Sequence, residues 1–174
     1  MNIHSLPIGD SAPDVVNVII EIPAGTHNKY EYDEKLDVIK LDRVLHSPFF
    51  YPVDYGFIAE THADDGDHLD VLLVNDSPTF PGCFVECRPL GLFKMSDDKG
   101  IDDKVIAVPV GNPHYKNVQK LSDLEPHLLE EISHFFEQYK KLEKKEVKVI
   151  GWSDRTVAVK AIARSHAEYK KGKV

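Results

Sequence analysis

The first half of the chain carries short apolar runs, rich in β-branched residues and separated by Gly and Pro. Runs of this kind, bounded by turn residues, predict strands. They span Val15–Ile22, Tyr30–Tyr32, Leu36–Leu41, Phe57–Ile58, Val71–Val74, Cys83–Leu92 and Val105–Val110. The second and third runs lie close enough together to form a hairpin. Many short strands with Gly and Pro turns indicate a small barrel or a sandwich.

The spacing of apolar residues becomes helical after residue 120. Apolar side chains recur at Leu124, Leu128, Ile132, Phe135, Phe136 and Tyr139. Three residues separate Ser122 from Glu125, as in a capping box, and Pro126 would fall in the first helical turn. A helix is therefore predicted to begin near residue 122.

The last quarter of the chain predicts one more strand and a second helix. The strand covers Val147–Ile150 and ends at Gly151 and Trp152, and the alanine-rich helix runs from Ser153 to about Ala167. The basic tail 170–173 is expected to be frayed. The predicted fold is thus mainly β, with two α-helices packed outside the β-structure.

Composition and charge narrow the functional classes. The chain has 174 residues, enough for a single domain over 1–174, and no apolar run approaches the ~20 residues of a transmembrane helix. Its first residues lack the pattern of a signal peptide. A net charge of −8 argues against a general binder of nucleic acid or anionic membranes. Cys83 and Cys87 are interpreted as buried thiols of a reducing compartment, which indicates the cytoplasm.

The segment Asp65–Asp70, with sequence DGDHLD, carries most of the chemical information. It places three carboxylates immediately before an apolar strand, and eight acidic residues but no Lys or Arg lie between Val44 and Cys87. Carboxylates crowded together repel one another unless a positive charge lies among them. Bound metal ions can supply that charge, and oxygen ligands suit Mg²⁺ or Mn²⁺. The alternative is a solvated acidic loop.

A second acidic segment, Asp97–Lys104, could complete the same site. Taken alone it is a solvated loop, but beside the first segment it would bring five or more carboxylates together. Since Mg²⁺ takes few protein carboxylates and keeps several waters, that number implies two or more ions.

Cations and tyrosines flank the acidic segments. Lys29, Arg43, Lys104 and Lys140 are the candidate cations, and Tyr51 and Tyr55 lie in one turn-rich segment. Taken singly, each cation is interpreted as an ordinary surface residue and each tyrosine as a core residue. Together with carboxylates and metals, however, these side chains suit phosphoryl chemistry.

These motifs together resemble the soluble family I inorganic pyrophosphatases, of the short bacterial type. The resemblance runs from about Val15 to Trp152 and includes EIP, KYE, DR, YPVDYG, DGDHLDV, KMSD, DDK and HFFEQYK in that order. It implies a five-stranded, OB-like closed barrel with flanking helices. It further implies Mg²⁺-dependent hydrolysis of pyrophosphate to two orthophosphates, with Mn²⁺ or Zn²⁺ as possible substitutes, and a homohexamer with His134 at a subunit contact.

The resemblance also assigns roles to individual residues. Metal ions would be held by Asp65, Asp70, Asp97 and Asp102. Asp67 would be the general base that activates the attacking water, with Tyr55 close to that water. The phosphates would be bound by Lys29, Arg43, Lys104, Tyr139 and Lys140. Supporting roles fall to Glu21, Glu31 and Tyr51.

The chain departs from the family pattern at two positions. His68 stands where Pro is usual, and Gln138 replaces a histidine one turn after His134. We expect His68 to point away from the carboxylates, because Asp67 beside it must face inward and adjacent side chains on an extended segment face opposite ways. The alternative is that its imidazole binds metal.

The competing functions are another metal-dependent phosphohydrolase, acting on nucleotides or phosphomonoesters, and a non-catalytic OB module.

Overall fold

The computed structural model describes residues 2–64 and 66–172, and over these it contains nine strands and two α-helices. The strands are β1 Val16–Ile22, β2 Asn28–Asp33, β3 Val38–Val44, β4 Asp54–Ile58, β5 Asp70–Leu73, β6 Phe84–Asp97, β7 Gly100–Ile101, β8 Lys104–Pro109 and β9 Lys148–Asp154. The helices are α1 Pro126–Gln138 and α2 Arg155–Gly172. No helix in the described part of the chain is long and apolar enough to cross a membrane.

Five strands form a closed ring, which confirms the predicted fold class. They pair in the order β1-β4-β5-β8-β6, and β6 returns to pair with β1. The β5–β8 pair is parallel and the other pairs of the ring are antiparallel. Closure removes the free edges that an open sheet would expose. Strand β9 adds to the ring by pairing with the long strand β6.

Successive side chains of the ring strands enter two different cores. Leu72 and Ile106 pack in the core that includes the α1 residues Ile132 and Phe136, while the flanking Val71 and Val105 pack in the core that α2 covers. This follows from the two-residue period of a strand. Because both faces are covered, β1 and β8 are buried throughout and their sequences are almost continuously apolar.

The close pairing of β4 with β1 depends on Gly56. Gly56 lies opposite Ile20, and a Cβ atom added to it would lie 2.0 Å from the carbonyl oxygen of Ile19 and 2.8 Å from the Cα of Ile20. Both contacts are with backbone and cannot be relieved by rotating a side chain. A side chain at position 56 would therefore force the two strands apart.

Strands β2 and β3 form a separate hairpin, as predicted, although β3 runs three residues further than Leu41. The extension matters because it places Arg43 directly opposite Lys29 in the hairpin register. Two predicted phosphate-binding cations thereby become neighbours. Over the described residues, this two-stranded sheet pairs with no other strand.

The predicted capping box at the start of α1 is not formed. Ser122 lies in a 3₁₀ turn, and Glu125 occupies the N-cap position without a side-chain hydrogen bond. The carboxylate of Asp123 accepts hydrogen bonds from the backbone N–H groups of Gln119 and Lys120, at 2.9 and 3.1 Å. Asp123 is thus the acceptor that stabilises the local turn, and the helix begins at Pro126.

The second helix differs from its prediction at both ends. Ser153 and Asp154 complete β9, and α2 begins at Arg155, where the Asp154 carboxylate accepts a hydrogen bond from the N–H of Val157 at 3.1 Å. The helix continues past Ala167 to Gly172, five residues beyond its predicted end, and Lys173 lies outside the described residues. The buried ring of Tyr169 holds this last turn against the rest of the fold.

Candidate active site

A cleft of about 500 Å³ lies between the hairpin and one end of the strand ring. Nine carboxylate and five Lys or Arg side chains line its described part, so negative charge prevails. The predicted site residues that line it are Glu21, Lys29, Glu31, Arg43, Tyr55, Asp67, Asp70, Asp97, Asp102, Tyr139 and Lys140. The structure therefore brings most of the predicted site together.

Lys104 lies behind the cleft and holds two of its aspartates. The parallel β5–β8 register pairs Asp70 with Lys104, and the Nζ atom lies 2.7 Å from Asp70 Oδ2 and 2.5 Å from Asp102 Oδ1. The Tyr55 hydroxyl donates a hydrogen bond to Asp70 and lies 3.2 Å from the same Nζ. Strands β4, β5 and β8 thus fix one acidic pole of the cleft.

Burial changes the pKa values of the ionisable groups around Lys104. It would lower the pKa of Lys104, but the facing carboxylates Asp70 and Asp102 raise that pKa above its usual value, so the lysine stays charged. Burial also raises the pKa of Asp70, by more than Lys104 lowers it. Burial, with the nearby Asp70 and Asp102, raises the pKa of Tyr55 well above its usual range, so its hydroxyl remains a hydrogen-bond donor.

A second pair forms where β6 approaches the end of α1. Lys140 Nζ lies 2.8 Å from Asp97 Oδ2 and 5.3 Å from the centre of the Tyr139 ring. Burial would raise the pKa of Asp97, but hydrogen bonds, chiefly from Lys140, lower it. Asp97 is therefore a charged carboxylate at neutral pH.

The hairpin supplies the cationic side of the cleft. Lys29 is hydrogen-bonded to Glu31 and lies 3.4 Å from Asp42, while Arg43 contacts the same Asp42 at 2.8 Å. The Nε atom of Arg43 also lies 3.3 Å from Glu143. Asp42 had not been predicted as a site residue. Its position directly before Arg43 could have indicated a role in the site, because a carboxylate between Lys29 and Arg43 can hold both cations in place.

Glu21 is a buried carboxyl at the base of the cleft. Its Oε1 accepts a hydrogen bond from the N–H of Tyr32 at 2.7 Å. Burial raises the pKa of Glu21 to about 8, with a further contribution from Asp70. At neutral pH, and without bound cations, this group is largely protonated.

Asp67 and His68 lie in the loop before β5, and Asp65 of the same loop lies outside the described residues. Asp67 is exposed at the cleft wall. The two ring nitrogens of His68 approach the carbonyl oxygen of Thr61 and a carboxylate oxygen of Glu34. This agrees with the expectation that the imidazole points away from the candidate metal ligands.

Some expected features lie outside the cleft. Tyr51 is buried and packs against the rings of Tyr55 and Phe135, so it supports the site by packing. The acidic residues between Val44 and Cys87 also do not all lie at the cleft. Asp54 is buried and accepts hydrogen bonds from backbone N–H groups, and Asp76 pairs with His114 at 2.8 Å on the surface. Part of that negative charge is therefore structural.

The donor set of the cleft suits divalent cations. Among the described residues, no three His, Cys, Asp or Glu side chains already form a closed ligand group, because the aspartates turn toward Lys104 and Lys140. The cleft nevertheless holds an excess of carboxylates, and Asp102 contributes to the raised pKa of Asp70. Hard oxygen donors with uncompensated charge fit Mg²⁺ or Mn²⁺.

Comparisons with known proteins agree with this geometry. The family described as Inorganic pyrophosphatase matches residues 18–170. The inorganic pyrophosphatase of Thermus thermophilus is 49% identical over 97% of this chain and 98% of its own length, and that of a Nostoc species is 45% identical over 98% and 100%. A crystal structure of the Thermus thermophilus protein superposes with a TM-score of 0.94 over 98% of this chain and 99% of that one.

Proposed function

The chain belongs to the inorganic pyrophosphatase family and is an enzyme that hydrolyses a phosphoanhydride bond. We propose that it hydrolyses pyrophosphate to two orthophosphates with Mg²⁺, and that Asp67 is the general base. One observation carries the proposal: carboxylates and phosphate-binding cations face each other across a single cleft. Neither group alone would suffice, because pyrophosphate needs cationic contacts and its metal ions need anionic ligands.

Asp70, Asp97 and Asp102, together with Asp65, are the residues that would hold the metal ions. Magnesium bound there would neutralise phosphate oxygens and acidify a coordinated water. Lys104 and Lys140 hold the described aspartates in place, at 2.5 to 2.8 Å. Because these lysines lie at the base of the acidic groups, they orient ligands and also reduce the repulsion of an anionic substrate.

Asp67 would remove the proton from the attacking water. It is exposed at the cleft wall, so a carboxylate there can reach a water molecule beside the bound substrate. Lys29 and Arg43 would bind the phosphate that leaves, since both line the cleft on the hairpin side. The Tyr55 hydroxyl, which donates its hydrogen bond to Asp70, would hold that carboxylate in place close to the attacking water.

A phosphate-release assay with pyrophosphate, ATP and a phosphomonoester tests the proposal. We expect Mg²⁺-dependent release from pyrophosphate and little from the other two. Preference for ATP or for the monoester would show that the enzyme is a different phosphohydrolase. Release from none of the three, by folded protein with Mg²⁺, would contradict the proposed activity.

The variant Asp67→Asn tests the general base. The amide is nearly isosteric but cannot accept the proton, so we expect a loss of about 10²–10⁴-fold in kcat with an unchanged circular dichroism spectrum. Asp64→Asn is the matched control, because Asp64 lies in the same loop but pairs with Arg164 on the surface. A folded Asp67→Asn enzyme within about tenfold of wild type would exclude this role.

The homohexamer and the cytoplasmic location stay predictions. Sedimentation of the purified protein would determine the first, and fractionation of the producing cell the second.

A further inference from the structure

The hydroxyl group of Thr61 closes the base of the β4–β5 loop, residues 59–69, which carries Asp67. Ile58, the last residue of β4, donates its N–H to the carbonyl oxygen of Leu69 at 2.9 Å. In a regular antiparallel pair, the N–H of Leu69 would return a bond to the carbonyl oxygen of Ile58. Here it donates to Thr61 Oγ1 at 2.9 Å, and that hydroxyl donates to the Ile58 carbonyl oxygen at 2.6 Å. The side chain of Thr61 is thus inserted into the end of the strand pair.

The direction of both hydrogen bonds follows from the groups that make them. A carbonyl oxygen can only accept and a backbone N–H can only donate, so the hydroxyl donates to one and accepts from the other. Neither bond depends on a protonation state. Thr61 and Ile58 are fully buried and Leu69 is 4% exposed, so solvent does not compete for either bond.

The backbone that follows Thr61 holds Asp67 in turn. Ala63, two residues further on, donates its N–H to the carbonyl oxygen of Asp67 at 2.8 Å. On the outer side of the loop, the carbonyl oxygen of Ser165 in α2 accepts a hydrogen bond from the N–H of His62 at 2.9 Å. Thr61 is therefore the inner attachment, and His62 the outer attachment, of the backbone that carries Asp67.

We propose that Thr61 is a positioning residue, whose hydroxyl sets the place of Asp67, the proposed general base, at the cleft wall. This inference rests on the proposed function of the cleft. Thr61 does not line the described part of the cleft, so it acts only through the loop. Without the hydroxyl, the N–H of Leu69 and the carbonyl of Ile58 either stay unpaired or approach each other, which would move the loop. A displaced base lowers the rate more than it weakens binding, because alignment matters most in the transition state.

Thr61→Val and Thr61→Ser test this role. Valine removes the hydroxyl and keeps the shape of the side chain, and a displacement of about 1 Å can cost about 10²-fold, so we expect kcat to fall by about tenfold to a hundredfold. KM should stay within about threefold, because Lys29 and Arg43 lie on the hairpin and are untouched. Serine keeps the hydroxyl and should hold kcat within about threefold of wild type.

Thr79→Val is the matched control. It makes the same chemical change at another buried hydroxyl, one that has no hydrogen-bond partner among the described residues. Thr79 lies between β5 and β6 and does not line the described part of the cleft. Its replacement should therefore leave kcat within about twofold of wild type.

Combination with Asp67→Asn shows whether Thr61 acts through the base. If it does, adding Thr61→Val to Asp67→Asn should change kcat by no more than about threefold, since the base to be positioned is already gone. A general loss of structure would instead lower kcat by the same factor in both backgrounds. That result would overturn the inference. Recovery of kcat in Thr61→Val at raised Mg²⁺ would also overturn it, because the defect would then lie in metal binding.

The remaining outcomes separate this inference from the proposed function. Wild-type protein that releases no phosphate from pyrophosphate would contradict the proposed function. Active wild type, with Thr61→Val equal to Thr79→Val in kcat, would overturn this inference alone. If circular dichroism shows that Thr61→Val does not fold, Thr61→Ser and Thr61→Ala replace it, since these two differ only in the hydroxyl oxygen. Equal kcat in that pair would overturn the inference, and a deficit of about tenfold or more in Thr61→Ala would support it.

Discussion

Replacing Lys104 with methionine should show how far the acidic pole depends on one buried charge. Lys104 is only 1% exposed, and its Nζ contacts Asp70, Asp102 and the Tyr55 hydroxyl. Methionine has a similar length and packs well, so the variant removes the charge with little change in volume. Two carboxylates would then share a site without their cation.

The expected loss of unfolding free energy follows from the burial of Lys104, Asp70 and Asp102. Removing one partner of a buried ion pair typically costs 3–5 kcal/mol, but the side chains of Asp70 and Asp102 are 24% and 20% exposed and can gain water, so we expect about 2–4 kcal/mol. Lys40→Met is the control. Lys40 is 51% exposed in its pair with Asp33, and its loss should change the stability little, because solvent screens surface ion pairs.

The stability that Lys104→Met loses should depend on pH in a definite direction. Without Lys104, the pKa of Asp70 lies further above the value of the unfolded chain, because burial raises it and the attraction of the lysine no longer lowers it. The folded variant then binds more protons than its unfolded chain, so its stability falls as the pH rises through the unfolded pKa values. The difference between wild type and variant should therefore be large at neutral pH and should shrink in mild acid.

Urea unfolding, with chelator and with Mg²⁺, provides the measurement. If Asp70 and Asp102 are metal ligands, Mg²⁺ binds the folded state and restores part of the lost stability. A Lys104→Met variant no less stable than Lys40→Met in chelator would refute the reasoning about buried charge. Loss without any recovery in Mg²⁺ would argue against metal binding by these two aspartates.

Three further predictions follow from the site and the fold. Lys29→Ala and Arg43→Ala should each lower kcat/KM in steady-state assays, while calorimetric Mg²⁺ titration changes little. Ca²⁺ should bind in calorimetry and support no phosphate release, because it takes ~6–8 ligands at longer distances and polarises water less than Mg²⁺. Gly56→Ala should lower the free energy of unfolding by about 3 kcal/mol or more, seen as a lower urea midpoint, because the added Cβ would meet backbone at 2.0 Å. Gly111→Ala, with open space around it, should be nearly neutral.

The strands could be predicted from sequence because both of their faces are buried. Val16–Ile22 and Lys104–Pro109 read as almost continuous apolar runs, and their boundaries shifted by only a residue or so. The closure of the ring could not be predicted in the same way. The pairing of β1 with β6 joins residues such as Val16 and Cys87, far apart in the chain, and no local pattern records that contact.

The helix ends show where local signals mislead. Ser122 and Glu125 have the spacing of a capping box, yet Ser122 lies in a 3₁₀ turn, where Asp123 accepts hydrogen bonds from the N–H groups of Gln119 and Lys120, and the helix begins only at Pro126. Motif spacing states which hydrogen bonds are possible, but the conformation of the chain decides which of them form. The acidic residues were ambiguous in the same way, because Asp54, Asp70 and Asp76 are the same residue type but only Asp70 of the three lines the cleft.

The charge balance of the cleft ties substrate binding to metal binding. Nine Asp or Glu and five Lys or Arg side chains line its described wall, and the negative charges outnumber the positive ones even with Glu21 largely protonated, so the cleft would repel bare pyrophosphate. The hairpin cations cannot reverse this, because Asp42 lies between Lys29 and Arg43 and neutralises part of their charge. Pyrophosphate should therefore bind tightly only together with divalent cations, so that each supplies the charge that the other lacks. We expect its apparent affinity to rise with Mg²⁺ concentration even in Asp67→Asn, where hydrolysis no longer obscures binding.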